Sequence, residues 1–332
     1  MKYIVTYNEQ ERDLCFNELK RLEKGFEVVQ NLNEFQSVIN LDLSNDEFVE
    51  IINCKPIIFL RHIFLIDIEF KINTDKNEII DFIYNNIDLK NSFSLQYQSN
   101  KNLETQKFSV KNLAVLLFDR NNNILIDVKN PTQIVSIYES ENSIFIGVAN
   151  RILNLSNFKG GMPHFSKKYN FVSRAEFKLL EVIDILNLDL SNFDKAIDLG
   201  SAPGGWTKVL ADSVKEVHSV DPANLDKKVK ERQNVKHFNM TTQKYLEKFD
   251  YSNFDIITND MKMDPKESVQ IILDFYDRLK VGGFVVMTFK LPKNFTYKSI
   301  LQNIESLKEK YQIVLARQLF HNRSEITVVL KK

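Results

Sequence analysis

Cysteine is nearly absent from this 332-residue sequence, whose two thiols are Cys15 and Cys54. Two cysteines so far apart supply neither a zinc cluster nor a disulfide framework, which suits a reducing compartment and leaves no chemistry on sulfur. Long apolar runs are missing too. No stretch reaches the roughly 18–20 apolar residues that a membrane-spanning helix needs. The opening MKYIVTYNEQ lacks the charged, then apolar, then small-residue order of a secretory signal. A soluble, cytoplasmic protein is expected, with no membrane partner. Internal repeats, heptads and low-complexity tracts are absent as well. Nor is there a net charge, since 44 Lys and Arg balance 44 Asp and Glu.

That balance conceals an asymmetry. Residues 1–150 hold 15 Lys and Arg against 22 Asp and Glu, whereas residues 151–332 hold 29 against 22. A polyanion would meet the second half, although the same surplus spread over a solvated surface needs no partner. The length exceeds what one hydrophobic core usually serves, so two or three domains are expected.

Residues 1–65 alternate apolar strands (KYIVTYN, FEVVQNL, FQSVINLDL, IIFLRHIFLI) with amphipathic helices (EQERDLCFNELKRLEKG, SNDEFVEIINC). Their order, βαββαβ, is that of a ferredoxin-like unit. Residues 66–150 read as a second small α/β unit with a helix over 75–87, the strand SFSLQYQ, a helix over 103–119 and a hairpin in IVSIYESENSIFIGV. Residues 151–171, RILNLSNFKGGMPHFSKKYNF, show no period and predict a linker. From 172 to 332 the pattern is a regular alternation. Helix SRAEFKLLEVIDILN leads into strands KAIDLG, EVHSVDP, VKHFN, FDIITND, FVVMTFKL, IVLARQL and EITVVLK. This predicts an α/β, Rossmann-like domain of seven strands, mostly parallel, with its ligand site beyond the carboxyl ends of the strands.

The segment AIDLGSAPGGW passes from a strand through Gly200, Ser201, Ala202, Pro203, Gly204 and Gly205 into a helix at Trp206. Glycines let backbone run close beneath a ligand. The spacing is not the G-x-G-x-x-G of dinucleotide sites, and Asp198 precedes the first glycine by two residues, which suits an amino group rather than a pyrophosphate. Asp221 ends the next strand, where a carboxylate can accept from both ribose hydroxyls of a nucleoside. Either aspartate alone could be a cap or a turn residue, and Trp206 alone could be core. Lys178, Asp260, Lys290 and Glu325 fall at element ends that converge on the same sheet edge. Singly, each has an ordinary surface or capping role.

Together they resemble a family. The strings SRAEFKL, DLGSAPGGW, NDM, TFK and SEITVV, in that order over residues 173–329, are similar to the FtsJ-type RNA ribose 2′-O-methyltransferases. TFKLPKNFTY and ARQLFHNRSEITVVLKK are especially similar to the large-subunit ribosomal RNA cytidine 2′-O-methyltransferases within that group. The resemblance implies S-adenosyl-L-methionine as cofactor, ribosomal RNA or its precursor as partner, and a THUMP-like RNA-binding unit over residues 66–150. It also implies a Lys-Asp-Lys-Glu catalytic tetrad at Lys178, Asp260, Lys290 and Glu325, and Asp260 beside the cofactor. Two departures stand out: FNMTTQ, with Asn239 and Met240, replaces an acidic contact to adenine, and MKMDP follows Asp260 in place of Met-Ala-Pro.

A ribose 2′-hydroxyl must lose its proton as it attacks the methyl group, and this needs a base but no metal. Lys290 serves if neutral, and a neighbouring Lys178 ammonium together with burial is expected to lower its pKa. Asp260 would orient that amine and Glu325 would hold Lys178 or the ribose. Lys159, Lys167, Lys168, Arg174, Arg317 and Arg323 could contact phosphates, and Phe165, Tyr169 and His321 could stack on an unpaired base. A transfer RNA methyltransferase and a noncatalytic RNA-binding or assembly factor remain open; the glycine spacing disfavours a nucleotide-dependent oxidoreductase.

Overall fold

The computed structural model describes residues 1–332 except 23–24, 101–105, 164, 166–170 and 293–294. It divides into two compact units, Met1–Pro163 and His164–Lys332.

The first unit opens with β1 (Lys2–Thr6), α1 (Arg12–Leu22), β2 (Glu27–Asn33), β3 (Gln36–Asn40), α2 (Asn45–Cys54) and β4 (His62–Leu65). Ser44 starts α2 through a reciprocal cap with Glu47, each side chain satisfying the other residue's backbone N–H. The sheet order is β2-β3-β1-β4, with every neighbouring pair antiparallel. That is the ferredoxin-like arrangement predicted by the βαββαβ pattern. A second sheet, in the order β5-β8-β7-β6, follows from β5 (Ile68–Lys71), α3 (Lys76–Asn86), β6 (Phe93–Ser99), α4 (Val110–Phe118), β7 (Gln133–Glu139) and β8 (Ser143–Asn150). The two sheets share a core in which Val38, Ile4 and Phe64, opposite one another on adjacent strands, bury against Tyr138 and Phe145.

Two details differ from the sequence reading. Helix α4 begins after Ser109, whose hydroxyl accepts from the Asn112 N–H, so a local cap sets its start inside the expected 103–119. Residues 151–163, read as the beginning of a linker, form short turns at Arg151–Asn154 and Lys159–Gly161, with Asn154, Gly160 and Gly161 buried. Asn154 Nδ2 donates to Ser136 at 2.8 Å and Gln96 Nε2 to the Asn157 carbonyl at 2.8 Å, so side chains from β6 and β7 fasten this stretch to the first unit.

The second unit contains α5 (Glu176–Ile185), β9 (Lys195–Leu199), α6 (Gly205–Ala211), β10 (Glu216–Val220), α7 (Lys227–Lys230), β11 (Val235–Phe238), α8 (Thr242–Lys248) and β12 (Phe254–Asn259). It continues through α9 (Pro265–Asp274), β13 (Leu279–Lys290), α10 (Tyr297–Lys308), β14 (Gln312–Arg317) and β15 (Glu325–Lys331). The seven strands lie in the order β11-β10-β9-β12-β13-β15-β14. Six run in one direction, and β15 is antiparallel to both its neighbours. This is the predicted Rossmann-like sheet. Strand order reverses between β9 and β12, and the crevice at such a switch point is where ligands of these sheets bind. Leu179 and Val182 of α5 and Trp206 and Leu210 of α6 pack with Ala196, Val217, Ile256 and Val286 of the sheet. The helices are thereby fixed with their functional residues at the carboxyl edge.

Candidate active site

The carboxyl edge brings Lys178, Asp260, Lys290 and Glu325 into one closed ring. Lys178 Nζ donates to Asp260 Oδ1 at 2.7 Å and Oδ2 at 2.5 Å, and lies 3.0 Å from Glu325 Oε1. Lys290 Nζ donates to Asp260 Oδ1 at 2.7 Å and also to Glu325 Oε2. Two ammonium groups and two carboxylates therefore alternate around the ring. Topology explains the meeting: Lys290 and Glu325 are register partners on the antiparallel pair β13–β15, Asp260 follows β12, and Lys178 reaches in from α5. Thr288, two residues before Lys290 on the same face of β13, donates to Asp260 Oδ1 at 2.7 Å.

Electrostatics correct one expectation. Burial favours the neutral amine of Lys290, but the carboxylates of Asp260 and Glu325 outweigh it and raise its pKa above the ordinary lysine value. The predicted depression fails because Lys290 touches two anions. Burial likewise opposes the charge on Asp260, yet Lys178 and Lys290 prevail and lower its pKa.

Beside the ring, the loop after β9 carries Gly200 at φ +69° and Gly204 at φ +111°, conformations that favour glycine. A Cβ on Gly200 would stand 2.0 Å from Met261 Cγ, and one on Gly205 would stand 2.1 Å from Ser173 Oγ. Asp198 is almost fully enclosed. Its oxygens accept from Thr207 Oγ1 at 2.6 Å and Thr258 Oγ1 at 2.8 Å. A chain of hydroxyls continues from Thr207 to Ser219 at 3.2 Å, and Ser219 donates to Ser201 at 2.6 Å. Burial pushes the Asp198 carboxyl up to about 7, against the hydrogen bonds from Thr207 and Thr258. In this geometry Asp198 braces the loop from below instead of presenting an open carboxylate to an amino group.

Asp221 accepts from the backbone N–H of Ala202 at 3.0 Å and of Ala223 at 2.7 Å, tying the end of β10 to the glycine loop. Ala202 and Pro203 thus lie in a segment held from both sides. Asn239 is exposed at the next strand end, and its amide donates to the Pro222 carbonyl at 2.8 Å. The Trp206 side chain packs in the core: it is 3% exposed, and its indole N–H donates to the Ala175 carbonyl at 2.7 Å. It still touches the site indirectly, with Lys178 Nζ 5.9 Å from its ring centroid.

Arg174 and Arg323 are exposed, and Arg317 is partly buried. Lys159 lies in the first unit, and Lys167, Lys168 and Tyr169 fall outside the described residues. His321 stacks on Phe177 (centroids 5.0 Å apart, planes at 20°), with Phe165 also against it at 5.5 Å. Thr207, Ser219, Thr258 and Thr288 escaped the sequence reading because isolated hydroxyls carry no spacing signal. Only the alternation that puts Thr288 on the face of Lys290 could have found one of them.

Residues 171–318 match the model of the FtsJ-like methyltransferase family. An uncharacterized protein of Methanocaldococcus jannaschii is 29% identical over 184 residues, which cover 54% of this chain and 51% of that protein. Ribosomal RNA large subunit methyltransferase M of Aeromonas salmonicida is 29% identical over 187 residues, 53% of this chain and 50% of its own. The protein of the same name from Vibrio vulnificus is 30% identical over 190 residues, 53% and 51%. The chain spans about half the length of the curated relatives it matches.

Proposed function

We propose, from the premise that residues 171–318 are an FtsJ-like methyltransferase domain, that this chain methylates a ribose 2′-hydroxyl of RNA with S-adenosyl-L-methionine as donor. The observation that carries this reading is the closed ring of Lys178, Asp260, Lys290 and Glu325 at the switch-point edge. Such a ring can grip and deprotonate a sugar hydroxyl.

The residues at the crevice fit the cofactor. The loop whose turns need Gly200 and Gly204 at positive φ would run beside it, Asp221 stands at the strand end suited to its ribose, and Asn239 is adjacent at the adenine side. When bound, S-adenosylmethionine supplies a methyl group on a sulfonium, open to attack by an oxygen nucleophile. Lys290 accepts the hydroxyl proton once it has itself released one, and Asp260 and Thr288 hold its amine in place. Lys178 and Glu325 position the hydroxyl, and much of the acceleration comes from that positioning.

For the target we propose a cytidine of large-subunit ribosomal RNA, acted on in the cytoplasm. The relatives' names and the segment ARQLFHNRSEITVV support this. Residues 66–150 of the first unit would act as the RNA-binding, THUMP-like part, a reading supported by the ferredoxin-like and second α/β units preceding the catalytic domain. Arg174, Arg317 and Arg323, and beyond the described residues Lys167 and Lys168, would meet phosphates.

The test is incubation of the full chain with labelled S-adenosylmethionine and unmodified ribosomal or transfer RNA, followed by mass-spectrometric mapping. Label on a large-subunit ribose 2′-oxygen is expected, and Lys290→Ala should abolish it. Methylation of a base atom would overturn the ribose assignment, and label confined to transfer RNA would overturn the ribosomal one. Failure to bind S-adenosylmethionine in calorimetry would instead favour a noncatalytic assembly factor.

A further inference from the structure

One turn of α5 beyond Lys178, Glu181 is 3% exposed and carries no part of the ring. Its carboxylate turns to the segment between β14 and β15. There it accepts from the Phe320 N–H at 2.9 Å, the His321 N–H at 3.2 Å and His321 Nδ1 at 2.8 Å. A carboxylate with these neighbours can only accept, so Nδ1 carries the hydrogen, and in the neutral form of the imidazole Nε2 is then the lone-pair acceptor. No described residue bonds to Nε2, and the His321 side chain retains 17% exposure.

The segment that carries His321 reaches the ring through Asn322. Asn322 Oδ1 accepts from the Leu319 N–H at 2.7 Å and from Thr327 Oγ1 at 3.0 Å, while its amide lies 3.5 Å from Glu325 Oε1. Phe177 covers one face of the imidazole and Phe320 meets it edge-on, with centroids 5.1 Å apart. Phe177 thus occupies one ring face, and the Nε2 edge has no hydrogen-bond partner among the described residues. Lys178 and Glu181 are three residues apart, a rise of about 4.5 Å along the helix.

We propose that His321, its tautomer set by Glu181, reads the target nucleotide's base through Nε2, accepting a hydrogen bond from an exocyclic amine. This rests on the ribose-methylation reading. It changes the part that the sequence suggested for His321, from a stacking surface to an acceptor of defined polarity. Uracil, which carries a carbonyl where cytosine has its amine, would oppose one acceptor with another.

Two measurements with the full chain test this separately from the reading beneath it. In the first, large-subunit ribosomal RNA transcripts carrying cytidine or uridine at the mapped nucleotide are compared for methylation kcat/KM. In the second, short single-stranded RNAs differing only in that base are compared for binding by anisotropy. The wild type should favour cytidine about tenfold. His321→Phe keeps a ring against Phe177 but has no Nε2, and should bring the ratio close to one in both assays while S-adenosylmethionine affinity is unchanged. Glu181→Gln, whose amide can donate as well as accept, should narrow the ratio less. Methylation of ribose with the preference intact in His321→Phe overturns this proposal and leaves the methyltransferase reading standing. A His321-dependent binding preference without methylation does the reverse.

Discussion

Lys178 Nζ lies within 2.7 Å of both carboxylate oxygens of Asp260, across 82 positions of chain. The contact joins the helix that precedes the sheet to the strand end at the switch point. Neither group is well exposed, with side-chain accessibilities of 8% and 16%, so water does little to screen the pair. Each charge out of water needs its partner, and the ring supplies two partners to every member.

Removing one member should therefore cost stability as well as activity. Lys178→Met keeps the aliphatic stem but leaves Asp260 and Glu325 sharing one cation. A loss on the order of 3 kcal/mol in urea unfolding of the second unit is expected, at the low end for a broken buried pair because Lys290 remains. A double-mutant cycle with Asp260→Asn should show coupling above about 1 kcal/mol; additive losses would mean that the two residues act independently.

Lys290→Arg separates charge from proton transfer. The guanidinium can keep its contacts to Asp260 and Glu325 but cannot release a proton at accessible pH. Activity should fall about 10²- to 10⁴-fold with the thermal transition nearly unchanged. In the wild type the raised pKa of Lys290 keeps the free amine a minor species near neutrality. Hence kcat/KM should climb with pH through the alkaline range. A flat profile between about pH 7 and 9 would exclude Lys290 as the proton acceptor.

Asp198 makes a stability prediction with a defined sign. Its carboxyl is raised from 3.8 to about 7, so between those values the folded protein holds a proton that the unfolded chain has lost. Stability from this group is greatest below the unfolded value, declines as pH rises through that window, and reaches its full penalty above the folded value. The span corresponds to a few kcal/mol, on the order of 4. Asp198→Asn cannot ionise, so the variant should lose less stability than wild type between about pH 5 and pH 8. Parallel pH–stability curves would show that Asp198 is ionised throughout.

Gly200→Ala tests the cofactor loop. At φ +69° the added methyl meets backbone strain as well as Met261 Cγ at 2.0 Å. Strain of this type costs roughly 1–3 kcal/mol. S-adenosylmethionine affinity measured by calorimetry should fall at least about tenfold. Adding Met261→Ala should recover part of the loss, the clash, while the strain at φ persists. Full recovery would mean that the conformation of the loop does not matter.

The order of elements was legible because it is local. Period-two runs such as FDIITND and capped amphipathic stretches such as SNDEFVEIINC fix strand and helix within a few residues. Their alternation then limits how the second unit can wind. The glycine loop and the four ring residues could be named for the same reason, each lying at the end of a readable element. What the sequence left undetermined depends on distances between chain-remote groups. Two carboxylates rather than one ammonium set the proton affinity of Lys290, and this became visible only once β15 returned beside β13 to pair Lys290 with Glu325. Trp206 and Asp198 sit in a motif that suggested ligands, but packing put the first in the core and the second beneath the loop. Glu181 had no signal of its own. It gains meaning from standing one turn beyond Lys178 while its acceptors face His321, a coincidence of helix period and strand return that no linear pattern contains.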